Sequence, residues 1–313
     1  MAEPESHVPI LGKTSYWRRV IASKYLILMF LPTLVYYVLF QYLPMFGIAI
    51  AFKNYNVRKG VWGSDWVGFR YFELFFSTPD FLILLKNTFL LGLYSVIWGF
   101  PAPLLLALLI NEIRSSVFKR FVQTVSYLPH FISNVVVVSM LTMFLSPSGG
   151  LINTIIGLFG VEPVYFLSLP EAFRTIYISS GIWQSVGWGT IIYLAALTTV
   201  DPHLYEAADI DGAGRWKKIW HISMPSISSV IVLLLILNIG GLLSTGFEKV
   251  FLLYNPLTYE TADIISTYTY RVGLVNGNFS YAAAIGVFNG VTNLLLLLAA
   301  NSISKKYKEV SLW

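Results

Sequence analysis

The apolar residues of this chain are gathered into six runs, at about 25–51, 82–110, 121–145, 175–199, 226–247 and 280–303, and most of the charge lies between them. A helix rises about 1.5 Å per residue, so roughly 20 residues cross a hydrocarbon core about 30 Å thick, and every run is long enough. Composition excludes a soluble domain of this size: 56% of the 313 residues are hydrophobic and 12% charged, against about 25% charged in soluble proteins. Backbone amides have no water to bond in lipid, so apolar runs of this length span as helices. The predicted fold class is all-α, a polytopic membrane protein with six transmembrane helices.

Three parts follow from the charge pattern: a polar segment 1–24, a six-helix domain 25–303 and a short tail 304–313. Behind Lys13, Arg18, Arg19 and Lys24 the first run continues without a small-residue cleavage site, which marks an anchor that is kept. With both termini inside, thirteen of the 21 Lys and Arg fall on inner segments, including Arg114, Lys119, Arg120, Arg215, Lys217, Lys218, Lys305, Lys306 and Lys308. That excess predicts an N-in, C-in topology, with Lys249 and Arg271 among the outer charges. Pro101 and Pro103 predict a kink in the second span, because each removes a backbone donor.

The chain shows little intrinsic chemistry. There is no cysteine, and His7, His130, His203 and His221 are too scattered for a local ligand cluster. Gly12-Lys13-Thr14 lacks the glycine five residues before Gly12 that a phosphate-binding loop needs, since position 7 is His7. No paired buried carboxylates or nucleophile motif suggest an enzyme, and the basic residues form no stripe that would suit a nucleic acid. Within the runs only Lys86 and His130 are ionisable, too few for a carrier driven by an ion gradient. Uphill transport by this protein would draw its energy from another chain, and no cofactor is expected here.

The longest polar inner segment runs from Asp201 to Pro225. Asp201 and Pro202 have the side chains of a helix start, a small-residue helix is expected over 206–213 with Gly212 and Gly214 interrupting it, and Trp216, Ile219 and Trp220 are expected to share one apolar face. Glu206-Ala207-Ala208, then Gly212, Ile222 and Pro225, match the spacing of the cytoplasmic EAA loop of ABC-importer permeases, with Met224 in place of the usual leucine. On these residues the chain resembles that family, and a Leu-to-Met exchange conserves volume. The resemblance implies a type I importer permease fold in a bacterial cytoplasmic membrane. It also implies a coupling helix in loop 201–225 that docks on a cytoplasmic ATPase through Glu206, Ala207, Ala208, Asp211, Gly212, Ile222 and Pro225. Partners implied in the same way are a second, different permease, two ATPase subunits that bind ATP and Mg, and an extracytoplasmic solute-binding protein.

The outer loop after the first span, Tyr254-Asn255-Pro256 and the segment from Asp263 to Gly273 resemble the carbohydrate branch of the family, in particular permeases for oligosaccharides of complex polysaccharides, acidic ones included. Sugars are bound by amide hydrogen bonds and aromatic faces, and Trp183, Gln184, Trp188, Asn238, Asn289 and Asn293 supply both within the last three runs. The same polar side chains also serve as interhelical bonds in membrane bundles, and peptide or amino-acid cargo is the alternative. No paired arginines stand in the runs to clamp a carboxylate.

Overall fold

The computed structural model describes residues 23–244 and 246–308. Lys13, Arg18 and Arg19, most of segment 1–24, and the tail beyond 308 lie outside the described residues. Helix α1 is Lys24–Phe52, α2 is Arg70–Ser77 and α3 is Asp80–Asn111. Helices α4 (Ser116–Phe131) and α5 (Asn134–Phe144) follow, then the short α6 (Leu151–Gly157) and the 28-residue α7 (Pro170–Leu197). After these come α8 (Pro202–Ile210), α9 (Arg215–Ser226), α10 (Ser228–Gly240), α11 (Phe247–Leu253), α12 (Ile265–Tyr270) and α13 (Phe279–Lys308). A two-residue ribbon, Lys53–Asn54 against Asp65–Trp66, closes the loop after α1.

Three described helices, α1, α3 and α13, are each long and apolar enough to cross a bilayer unaided, and α4–α5 and α9–α10 qualify only as bent pairs. The run 121–145 is therefore no straight span: its two helices meet at 96°. Pro129 stops regular helix at a single tight turn, and Ser133 starts the next by accepting from the Val136 amide. The second pair bends by 66° at Ile227, which is almost wholly buried. In α3 the kink expected at Pro101 is absorbed by a widened π turn over Ser95–Gly99, so the helix continues to Asn111.

Packing is concentrated in three clusters. At the end carrying α8 and α9, Leu104, Ala107, Leu108 and Ile110 of α3 meet Tyr193, Leu194 and Leu197 of α7, with Ile219 and Ile227. Leu91, Val138, Phe173, Tyr177, Val250 and Leu253 form the second cluster, and Phe75, Leu84, Tyr268, Tyr281 and Ile285 the third. Elsewhere the helices present large apolar side chains outward, Met29 at 78% exposure and Leu82 at 71% among them. In lipid such a surface is already solvated, whereas water would penalise it. No buried residue lies in the apolar window of α1.

Helix α7 approaches α4 at Gly187, where an added Cβ would overlap the Ser126 carbonyl oxygen. Gly187→Ala is expected to destabilise the purified protein by about 1–3 kcal/mol, read as a lowered thermal midpoint in detergent. Gly290→Ala, with open space beside it, should leave the midpoint unchanged or raised, since alanine favours a helix interior.

Candidate coupling loop and membrane cavity

The segment 201–225 is built as a helix, a cap and an anchor. Asp201 caps α8 by accepting from the His203 amide at 2.9 Å, and Pro202 occupies the first helical position. The helix ends at Ile210, three residues earlier than expected, because Gly212 takes φ +70°. The Gly212 amide donates to Asp209 and the Ala213 amide to Ala208, the paired bonds of a Schellman cap, and glycine adopts this left-handed turn without steric cost.

Ile219 turns into the core, while Trp216 and Trp220 stand 70% and 64% exposed. The expected common face of these three is thus split, because a π turn over Ile219–Ser223 breaks the regular register of α9. Tyr205 Oη lies 2.9 Å from the buried Ser223 Oγ, and Lys218 donates to Asp209 at 2.7 Å, so α8 is fastened to α9 at two points. The exposed Asp209 carboxylate makes the second of these a modest contribution, ~1 kcal/mol or less.

What α8 leaves open is a small-residue knob. Glu206, Ala207, Asp211, Gly212 and Pro225 are exposed, and Ala208 and Ile222 half-buried. The Glu206 carboxylate pairs within the segment with His203, at 3.2 Å. Ile210, which the sequence reading passed over, is 88% exposed, and Leu204 stands 48% exposed on the same helix. The sequence carried a signal for it: an apolar residue two positions after Ala208 in a polar segment.

The six side chains considered for sugar do not converge. Gln184 and Asn238 line one cavity of about 300 Å³, between α3, α7, α10 and α11. Trp183 borders a second cavity and Asn289 a third. Trp188 is stacked on His130, with centroids 4.5 Å apart and planes 5° from parallel. Asn293 accepts from the Leu243 amide and donates to Ser244 Oγ, holding the break between α10 and α11. Gln184 donates to the Ile132 carbonyl at the break between α4 and α5.

The cavity with Gln184 and Asn238 also holds Lys249, a residue the charge count placed in an outer loop. It sits on α11, beyond the short tight turn of Leu242–Ser244 that follows α10, and only 6% of it is exposed. Stopping the fifth run at position 247 hid it. Beyond α11, the segment leading to α12 is bound to the bundle through Asn87. Its Nδ2 donates to the carbonyls of Glu260 and Asp263, and its Oδ1 accepts from Arg174. Arg271 pairs with Asp263 and lies over the rings of Tyr259 and Tyr268. Partial burial alone would lower the Arg271 pKa; the hydrogen bond and charge of Asp263 outweigh it and hold the value above the ordinary one.

Residues 99–309 match the family described as binding-protein-dependent transport system inner membrane component. The chain belongs to this family. It is 51% identical over 295 residues to the polygalacturonan/rhamnogalacturonan transport system permease protein YteP of Bacillus subtilis, covering 94% of this chain and 92% of that one. Identity to Protein LplB of the same organism is 46%, with 97% of each chain covered. Its fold is similar, at a TM-score of 0.87 and 44% identity, to a chain in the crystal structure of a bacterial ABC transporter that imports the acidic polysaccharide alginate, covering 93% of this chain and 99% of that one. A second structure, of a bacterial alginate ABC transporter with its pentasaccharide-bound periplasmic protein, matches at a TM-score of 0.88. The chain therefore has the type I ABC permease fold and is a multi-pass protein of the bacterial inner membrane.

The cap geometry separates two roles of Gly212. A Cβ there meets nothing within this chain, but the positive φ strains most other residues. Gly212→Asn, which tolerates this φ, is expected to keep the loop folded and ATP-dependent uptake within about threefold of the parent. Gly212→Val should lower uptake about tenfold or more, with insertion into the membrane unchanged, as checked by transport in proteoliposomes.

Proposed function

We propose that this permease forms half of the translocation path of an ATP-driven importer for oligosaccharides from an acidic polysaccharide, and that α8 is the element through which ATP drives it. The observation that carries the coupling role is the exposed knob of Glu206, Ala207, Ile210 and Gly212, seated on the buried base of Ile219, Ile227 and the ends of α3 and α7. Small side chains at the tip admit close approach of a partner surface. The packed base passes a push on the tip directly to two long helices, since close-packed interiors transmit displacement.

In this reading loop 201–225 faces the cytoplasm, both termini lie on the same side, and the six spans near 25–51, 82–110, 121–145, 175–199, 226–247 and 280–303 make up the membrane domain. Two ATPase subunits bind ATP and Mg and dock on this loop and on its counterpart in a second, different permease; this chain contributes no nucleotide chemistry. A solute-binding protein delivers cargo to the opposite end. Closure of the ATPases then rocks the two permeases between inward- and outward-facing states. The acidic cargo is supported by the named substrates of the alginate and polygalacturonan relatives.

Affinity pull-down from detergent-solubilised membranes checks the coupling role. The wild-type chain should retain the ATPase subunits, and Ile210→Asp or Glu206→Arg should reduce that retention about tenfold or more while leaving the second permease bound, because a charge buried in an interface without a partner costs several kcal/mol. Full retention of the ATPases by both variants would refute docking through α8.

A further inference from the structure

Lys249 is the anomaly of the membrane domain. Its Nζ is buried without a hydrogen-bond partner, and no carboxylate lies within 4.0 Å of it among the described residues. The Tyr177 ring, 5.5 Å from Nζ, offers it a cation–π contact, which offsets only part of the cost of an unpaired ammonium in a bundle interior. The neighbouring helix α7 runs alongside: a Cβ at Gly181 would stand 3.7 Å from Nζ, in ordinary contact. Such a charge persists in a membrane segment where it is used, and a lysine offers three donors and a positive charge.

The cavity beside it has matching chemistry. Ser95 and Ser185 donate to carbonyls of their own helices, Leu91 and Gly181, so each presents oxygen lone pairs to the space. The Gln184 and Asn238 nitrogens donate to Ile132 and Leu234. Hydroxyl oxygens of this kind accept from sugar hydroxyls, and the single cation is left for an anion. We infer that Lys249 is the specificity-determining residue of this cavity, recognising the carboxylate of a uronic acid unit as the oligosaccharide passes between α3, α7, α10 and α11. This rests on the reading of the chain as an oligosaccharide permease, and it assigns the acid preference of the membrane step to a residue of this chain.

The test uses the complete importer with its binding protein in proteoliposomes, and compares ATP-dependent uptake of trigalacturonate with that of its methyl ester. The binding protein is the same for every variant, so its own preference cancels when acid-to-ester ratios are compared. Lys249→Met is expected to lower the ratio about tenfold or more, the scale of a lost charge-assisted hydrogen bond, and Lys249→Arg to keep it within about threefold. For trigalacturonate alone, uptake should fall in the order Lys, Arg, Met, Glu at position 249. If Lys249 instead pairs with a carboxylate of the second permease, Lys249→Met will depress both substrates equally and lower the thermal midpoint of the complex, which overturns the inference. An unchanged ratio in Lys249→Met overturns it too. Wild-type uptake of neutral oligosaccharides alone would overturn it while leaving the importer reading intact; absence of any ATP-dependent oligosaccharide uptake would overturn both.

Discussion

Every backbone amide freed inside a bilayer must find a protein partner, because lipid offers none. This constraint organises the molecule, since several of its spans are interrupted. The break between α4 and α5 leaves the Ile132 carbonyl to be met by Gln184, and the break after α10 leaves the Leu243 amide to be met by Asn293. At the end away from α8, Asn87 and Thr88 serve the segment that leads to α12: Asn87 bonds the carbonyls of Glu260 and Asp263, and the Thr88 hydroxyl accepts from the Ile265 amide. Polar side chains on continuous helices thus repair the interrupted ones. The breaks in turn shape the cavities.

The interruption after α10 has the largest consequence. Helix α10 ends at Gly240, Gly246 takes a left-handed φ of +53° against the Tyr177 ring, and α11 starts again inside the bundle. Across this break Lys249 lies beside Tyr177 and Gly181 of α7, in the lining of the cavity that it shares with Asn238 and Gln184.

At the opposite end the logic is mechanical. Helix α8 has no buried residue of its own, yet Tyr205 and Lys218 tie it to α9, whose Ile219 is locked among residues of α3 and α7. A displacement of α8 would be passed through Ile219 to the packed ends of α3 and α7.

Much of this was legible in linear order, because apolar length, proline and glycine positions and the spacing from Glu206 to Pro225 are local properties. The runs mark out helices, Asp201 and Pro202 start α8 as expected, and the family follows from the loop. The polar residues were harder. Gln184, Asn293 and Trp188 have the chemistry of sugar ligands in the sequence, but whether an amide faces cargo or a neighbouring backbone depends on where another helix breaks. The 96° bend at Pro129 to Ser133, the split between Ile219 and its neighbouring tryptophans, and the burial of Lys249 likewise depend on contacts between segments far apart in the chain. Sequence alone determined that this is a helical membrane permease with a protruding loop, since hydrophobic length and turn chemistry act locally. Only the tertiary structure decided which polar groups are spent on backbone amides and which cation is left without a partner, because that pairing is a property of the packed bundle.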